Sequence, residues 1–157
     1  MLKTRRLMSI AAGFACLLIL AACQTNGTRF ASQGASQTGR VYVSSIRASA
    51  SLPALTPDST LEKAARVQAE YMTSAGKMSH DTGWRRDFAT RMKEGKIAAP
   101  AAENLAYGRM DTGKVFQMWM DSTGHRNNML NPSFNRYGLA HATAADGRRY
   151  WALVLSK

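Results

Sequence analysis

The chain has 157 residues, enough for one domain. It carries 21 Lys and Arg against 10 Asp and Glu, a formal charge of +11, so its partners are expected among anionic groups. Two cysteines are too few for a disulfide framework, and no apolar run reaches the ~20 residues that a membrane-spanning helix needs.

Met1 to Arg6 contains Lys3, Arg5 and Arg6 and no acid. Leu7 to Leu20 is uncharged and apolar or small, and Leu20-Ala21-Ala22-Cys23 follows. This is the order of a secretory signal peptide. Leu-Ala-Ala-Cys resembles the bacterial lipobox, which implies that residues 1–22 are removed and that Cys23 receives a diacylglycerol as the mature N-terminus. Stable anchoring takes more than one acyl chain, at about 0.8 kcal/mol per buried CH₂. By the same resemblance, the non-acidic Gln24 implies sorting to the outer membrane. The expected location is thus exported and lipid-anchored in a bacterial envelope. Cys16 would leave with the signal peptide and Cys23 would be acylated, so no thiol remains for a disulfide or a Cys-based metal site. Removal of Lys3, Arg5 and Arg6 takes the formal charge from +11 to +8. An exported basic domain is expected to meet anionic lipid, lipopolysaccharide or a cell-wall ligand and no nucleic acid.

Residues 23–38 are rich in Ser, Thr, Gln, Gly and Asn and read as a flexible tether, with the domain running from 39 to 157. Val41, Ser45 and Ala48 predict a short helix over 41–50, broken by Pro53 and Pro57. Ser59 and Glu62 have capping-box spacing. Leu61, Ala64, Ala65, Ala69 and Met72 then predict a helix that Gly76 stops. Trp84, Phe88 and Met92, four apart, suggest a third helix with these side chains in the core. Thr112 or Asp111 caps a fourth, with Val115, Phe116, Trp119 and Met120 as its apolar stripe and Gly124 as its end. Tyr137–Thr143 and Arg149–Leu155 read as strands, joined at Asp146-Gly147 by a hairpin turn. Helices followed by a hairpin indicate an α+β domain.

Four stretches set polar groups beside apolar ones: Met78-Ser79-His80-Asp81, Glu103-Asn104-Leu105-Ala106, Trp119-Met120-Asp121-Ser122 and Gly124-His125-Arg126-Asn127-Asn128-Met129-Leu130. His80 follows the Gly76 stop and His125 the Gly124 stop. Both are therefore expected at helix C-termini, which favour protonated imidazole. Arg126 is placed to cap the fourth helix's carbonyls. Asn104, Asn127 and Asn128 are suited to bonding loop backbone. His141, on a strand, is expected exposed or hydrogen-bonded.

With Leu52-Pro53-Ala54-Leu55, Ser79-His80, Glu103-Asn104-Leu105-Ala106 and the block from Trp119 to Leu130, the chain resembles the bacterial branch of the CAP superfamily (SCP/PR-1-like domains). The resemblance runs from Ile46-Arg47 to the last strand. It implies an α–β–α sandwich with a small antiparallel sheet flanked by helices. It also implies a cleft lined by two His and two acids, of which His80, Glu103 and His125 are three. Ser122 stands where the family has its second Glu, as in many bacterial members, and this weakens any mechanism that needs two carboxylates.

Two neutral imidazoles can bind Zn²⁺ or another divalent metal at about 2.0–2.1 Å, with Glu103 as a third ligand or as the group that orients one His. Without a metal, His80 and Glu103 can exchange a proton as base and orienting group. Alternatively, they only satisfy each other's hydrogen bonds. The first reading is a binding protein that holds a small or polymeric envelope ligand in a cleft of His80, Glu103, Asn104, Ser122 and His125. The second is a metal-assisted hydrolase of envelope material that uses His80, Glu103 and His125. The third is a structural or interaction module at the membrane surface. No confident catalytic residue emerges, because no protein nucleophile is evident; Ser122 and His125 lie three apart, which does not make a Ser-His pair.

Overall fold

The computed structural model describes residues 31–157; the expected leader and the expected lipidation at Cys23 lie outside the described residues. The elements are β1 (Ala31–Gly34), α1 (Ser36–Ser49), β2 (Thr56–Pro57), α2 (Ser59–Ala75), α3 (Phe88–Glu94), β3 (Ala101–Gly108), α4 (Thr112–Asp121), α5 (Thr123–Met129), β4 (Arg136–Thr143) and β5 (Arg149–Ser156).

The two apolar runs near the C-terminus form the central hairpin, with Thr143 opposite Arg149 and Leu139 opposite Leu153. The sheet order is β1-β4-β5-β3, antiparallel throughout, and the short β2 lies parallel beside β4. Alternation along the strands separates two cores. Leu139, Trp151, Leu153 and Leu155 pack with Val43 of α1 and with Val115, Phe116 and Trp119 of α4. Ala140, Tyr150, Ala152 and Val154 pack with Leu61, Ala65 and Met72 of α2 and with Met92 of α3. The sheet is covered on both faces, which gives the α–β–α sandwich and explains why Tyr150 to Ser156 is buried without interruption.

Local signals set the helix ends, with some differences from expectation. Asp58 caps α2 by accepting from the Leu61 amide at 2.9 Å, so Ser59 is not the cap. Glu62 does not close a capping box; its carboxylate accepts from the Ser36 amide at 3.0 Å. Gly76 ends α2 in the left-handed conformation (φ 61°), which glycine adopts without a Cβ penalty. Asp111 caps α4 through the Lys114 amide.

The boundary drawn at Gly39 is corrected by the fold. Residues 31–34 form β1, and α1 begins at Ser36. The Ala35 amide donates to Leu139 O at 2.7 Å, the Tyr137 hydroxyl donates to Ser36 O at 2.7 Å, and the Leu139 amide donates to Ser36 Oγ at 3.0 Å. Small polar residues read as a tether because they have little to bury. Here their smallness lets the backbone approach β4, and a Cβ on Gly39 would meet Leu139 Cδ2 at 2.6 Å.

Candidate functional site

The site is built on β3, an element that apolar patterning did not reveal. Among the described residues β3 is an edge strand paired with β5 alone, with Glu103 opposite Val154 and Asn104 opposite Leu153. Successive side chains of a strand point to opposite faces. Glu103 therefore takes partners from the α2–α3 layer and Asn104 from the α4–α5 layer, and one strand edge draws both layers to a shared margin.

On the first side, the side chain of Glu103 is 1% exposed. Arg91 of α3 grips it at both oxygens, Nη1 to Oε2 at 2.7 Å and Nη2 to Oε1 at 2.9 Å. The guanidinium also donates to Arg86 O and His80 O, which ties the segment before α3 to the pair. His80 Nδ1 lies 2.9 Å from Glu103 Oε1. Because the carboxylate only accepts, the proton of a neutral His80 sits on Nδ1 and the Nε2 lone pair is presented outward. The His80 side chain is 56% exposed. Gln68 of α2 donates to Ser79 O at 2.6 Å and holds the loop from below.

On the second side, Asn104 is fully buried. It donates from Nδ2 to His125 O at 3.0 Å and accepts at Oδ1 from Asn128 Nδ2 at 2.9 Å. Both amide ends are engaged with α5, so Asn104 positions the helix that carries His125. Trp119 Nε1 donates to Leu105 O and fastens α4 to the same strand. Arg126 Nη1 donates to Met120 O at 2.8 Å and caps α4, as expected.

Two expectations about the histidines change. Gly124 does not end α4; Asp121 does, and His125 lies in the first turn of α5, where no helix C-terminus favours its cation. Burial, and then the nearby His80, hold the His125 imidazole below its ordinary range. The bond of His80 to Glu103 and the bond of Asn104 to His125 O tie the two residues to adjacent positions of β3. His141 is also buried (8% exposed) rather than solvated, and stacks on Trp151 at 4.5 Å. Ser122 is the joint between α4 and α5. Among the described residues no hydrogen bond joins it to His125. Trp84, expected in the core, is 88% exposed, because α3 starts at Phe88 and leaves it on the preceding loop.

Arg91 is the functional residue that sequence reading missed. Its signal was present: it stands three after Phe88 and one before Met92, on the buried side of α3. Its geometry bears on the metal set. Both oxygens of Glu103 are committed to Arg91 and one also to His80, so the carboxylate is built to orient an imidazole rather than to ligate. Among the described residues no cluster of three His, Cys, Asp or Glu is arranged to hold a metal ion.

Residues 41–155 match the model of the CAP family, described as the cysteine-rich secretory protein family. The chain belongs to the CAP family. One CAP relative, the uncharacterized protein YkwD of Bacillus subtilis, is 34% identical over 85 residues, which is 54% of this chain and 33% of that protein. The chain thus matches about one third of that relative's length. Its fold is similar to an extracellular protein of Bacillus anthracis containing an SCP domain (TM-score 0.66, 28% identity, 77% of this chain and 40% of that one). It is also similar to an outer surface protein of Borrelia burgdorferi (TM-score 0.68, 20% identity, 77% of this chain and 90% of that one). The latter likeness concerns the fold alone.

Protonation of His125 in this CAP domain opposes folding. A histidine whose folded-state affinity for protons is below its unfolded value leaves the unfolded chain holding more protons, so stability falls as pH drops through about 6.5. His125 and His141 both act in this direction. Asp58 and Asp87, held low in the fold, add their loss only in more acid solution. His125→Gln is expected to flatten the dependence of urea-unfolding free energy on pH between about 7.5 and 5.5. An unchanged slope would show that His125 titrates in the fold as it does in the unfolded chain.

Proposed function

We propose that this CAP protein is a lipid-anchored envelope binding protein that holds a small or polymeric envelope ligand in the cleft of His80, Glu103, Asn104, Ser122 and His125. The observation that carries this reading is the asymmetry of the His80–Glu103–Arg91 chain. An ion pair with side chains 4% and 1% exposed lies beneath an imidazole that is 56% exposed. A histidine open to water needs no buried partner for its own solvation. The buried pair instead fixes the ring, its tautomer and the direction of Nε2, as a recognition site requires. Export agrees with the extracellular character of the Bacillus anthracis protein. Glu103 has both oxygens occupied and is poorly placed to take a proton from water, so binding is preferred to hydrolysis.

The test is retention of the purified protein on peptidoglycan sacculi and on immobilised lipopolysaccharide, compared with His80→Ala/His125→Ala. We expect at least tenfold weaker retention by the double variant on one of them, the equivalent of about 1.4 kcal/mol. Equal retention on both would reject the cleft.

The attachment of His80 and His125 to adjacent residues of β3 supports a metal-dependent form of the same reading. His80 Nε2 and the His125 ring would hold Zn²⁺ or another divalent cation, and Glu103 would orient His80 from behind. The bound cation would supply a Lewis-acid contact to an anionic ligand. Equal zinc content after titration of wild type and the double variant would remove it.

A further inference from the structure

The loop between α2 and α3 carries more than His80. Large exposed apolar side chains among the described residues include Met78 (50% exposed) and Trp84 (88%), both on this loop. Lys77, Arg85 and Arg86 lie on the same ten-residue stretch, all exposed. The guanidinium of Arg85 sits 5.4 Å from the Trp84 ring centroid, and that of Arg86 sits 4.5 Å from the Tyr71 ring. A solvated indole with cations around it has no folding role: α3 packs through Met92, and the second core closes without Trp84. The loop is also firmly held. Gln68 binds Ser79 O, Arg91 binds His80 O and Arg86 O, and Asp81 Oδ1 accepts from the Gly83 amide. Its apolar tips are thus presented on a fixed frame.

We propose that this loop docks on an anionic lipid surface, with Trp84 and Met78 at head-group depth and Lys77, Arg85 and Arg86 over lipid phosphates. An indole flanked by cations has the amphipathic composition that settles at membrane–water interfaces. Basic side chains near an anionic leaflet add a screened attraction. The acids nearby cancel it only in part: Glu94 is paired with Arg85, but apart from Arg91, which Glu103 neutralises, residues 77–96 carry five cations (Lys77, Arg85, Arg86, Lys93 and Lys96) against three acids (Asp81, Asp87 and Glu94). A glycan platform fits less well, because Arg85 lies over the Trp84 ring that a sugar would use. The inference is independent of what the His80 cleft binds, but it would open that cleft toward the bilayer.

Fluorescence isolates the loop, since Trp119 and Trp151 are fully buried. The full chain bearing Cys23→Ser, and the same protein with Trp84→Phe added, are titrated with phosphatidylglycerol/phosphatidylethanolamine vesicles and with phosphatidylcholine vesicles. The difference emission, which belongs to Trp84, is expected to move to shorter wavelength and to be quenched by brominated acyl chains, with the anionic vesicles only. Arg85→Gln/Arg86→Gln is expected to raise the lipid concentration at half-shift roughly 30-fold at low salt, provided near-UV dichroism shows an intact fold. Unchanged difference emission with anionic vesicles would overturn the proposal even if the double variant misfolds. An equal shift with phosphatidylcholine would overturn the assignment to anionic lipid. A shift with soluble peptidoglycan fragments and not with vesicles would replace the bilayer with a glycan.

Discussion

Replacing Arg91 with methionine is expected to destabilise the domain by about 3–5 kcal/mol, the range for removing one partner of a buried ion pair. The carboxylate of Glu103 would remain 1% exposed with His80 as its last partner, and the carbonyls of Arg86 and His80 would each lose a donor. Methionine keeps most of the side-chain length, so a cavity contributes little. The double variant Arg91→Met/Glu103→Gln removes the charge together with its partner and is expected to recover a large part of the loss. Urea unfolding of the four proteins of the cycle measures this directly. A cost below about 1 kcal/mol for the single variant would mean that water solvates Glu103 once Arg91 is gone, as at an exposed pair. Such water has a route: Arg91 forms part of a groove of about 730 Å³ between α2 and α3, lined also by Lys63, Arg66, Tyr71 and Lys96. The two outcomes therefore separate a dry pair that fixes His80 from a wet one that only happens to touch it.

Gly138→Ala is expected to be comparably damaging for a steric reason. A Cβ at this position of β4 would stand 2.0 Å from Glu62 N and 2.1 Å from Leu61 C, both backbone atoms of the first turn of α2. No rotamer change relieves such a contact; the helix must move off the sheet and take Leu61 and Ala65 out of the second core with it. Overpacking typically costs about 1–3 kcal/mol, and more when backbone has to shift, so the top of that range or beyond is expected. Gly124→Ala is the control. It lies inside α5 with nothing within 4 Å of its Cβ, and alanine there is expected to gain about 0.5–1 kcal/mol of helix stability. Paired thermal melts check both, and a Gly138→Ala midpoint equal to that of wild type would show that the α2–β4 approach is looser than it stands.

How legible the protein was depended on whether a residue's partner lay close in the chain. The stop at Gly76 and the cap at Asp111 read correctly, since each acts within one helical turn. The hairpin read correctly because Asp146-Gly147 joins two β-rich runs. Glu62 sat at capping-box spacing, yet its carboxylate turns to Ser36, 26 residues away. Trp84 had the right period for α3, but Asp87 caps the helix only at Phe88. In β3, Glu103 and Asn104 are buried polar residues on an edge strand, and polar residues break the alternation by which strands are recognised.

The amino-acid sequence by itself determined the α+β class, the order of its main helices and the final hairpin. It also pointed to His80, Glu103 and His125, because those features rest on short-range periodicity, caps and compact motifs. Only the tertiary structure decided what the three residues can do. Arg91 commits both Glu103 oxygens, Asn104 fixes α5 from the opposite face of the same strand, and an exposed His80 and a half-buried His125 are tied to these two neighbouring residues of β3. Those relations come from pairing and burial between segments 12 to 24 residues apart or more, where the chain's local preferences have no reach.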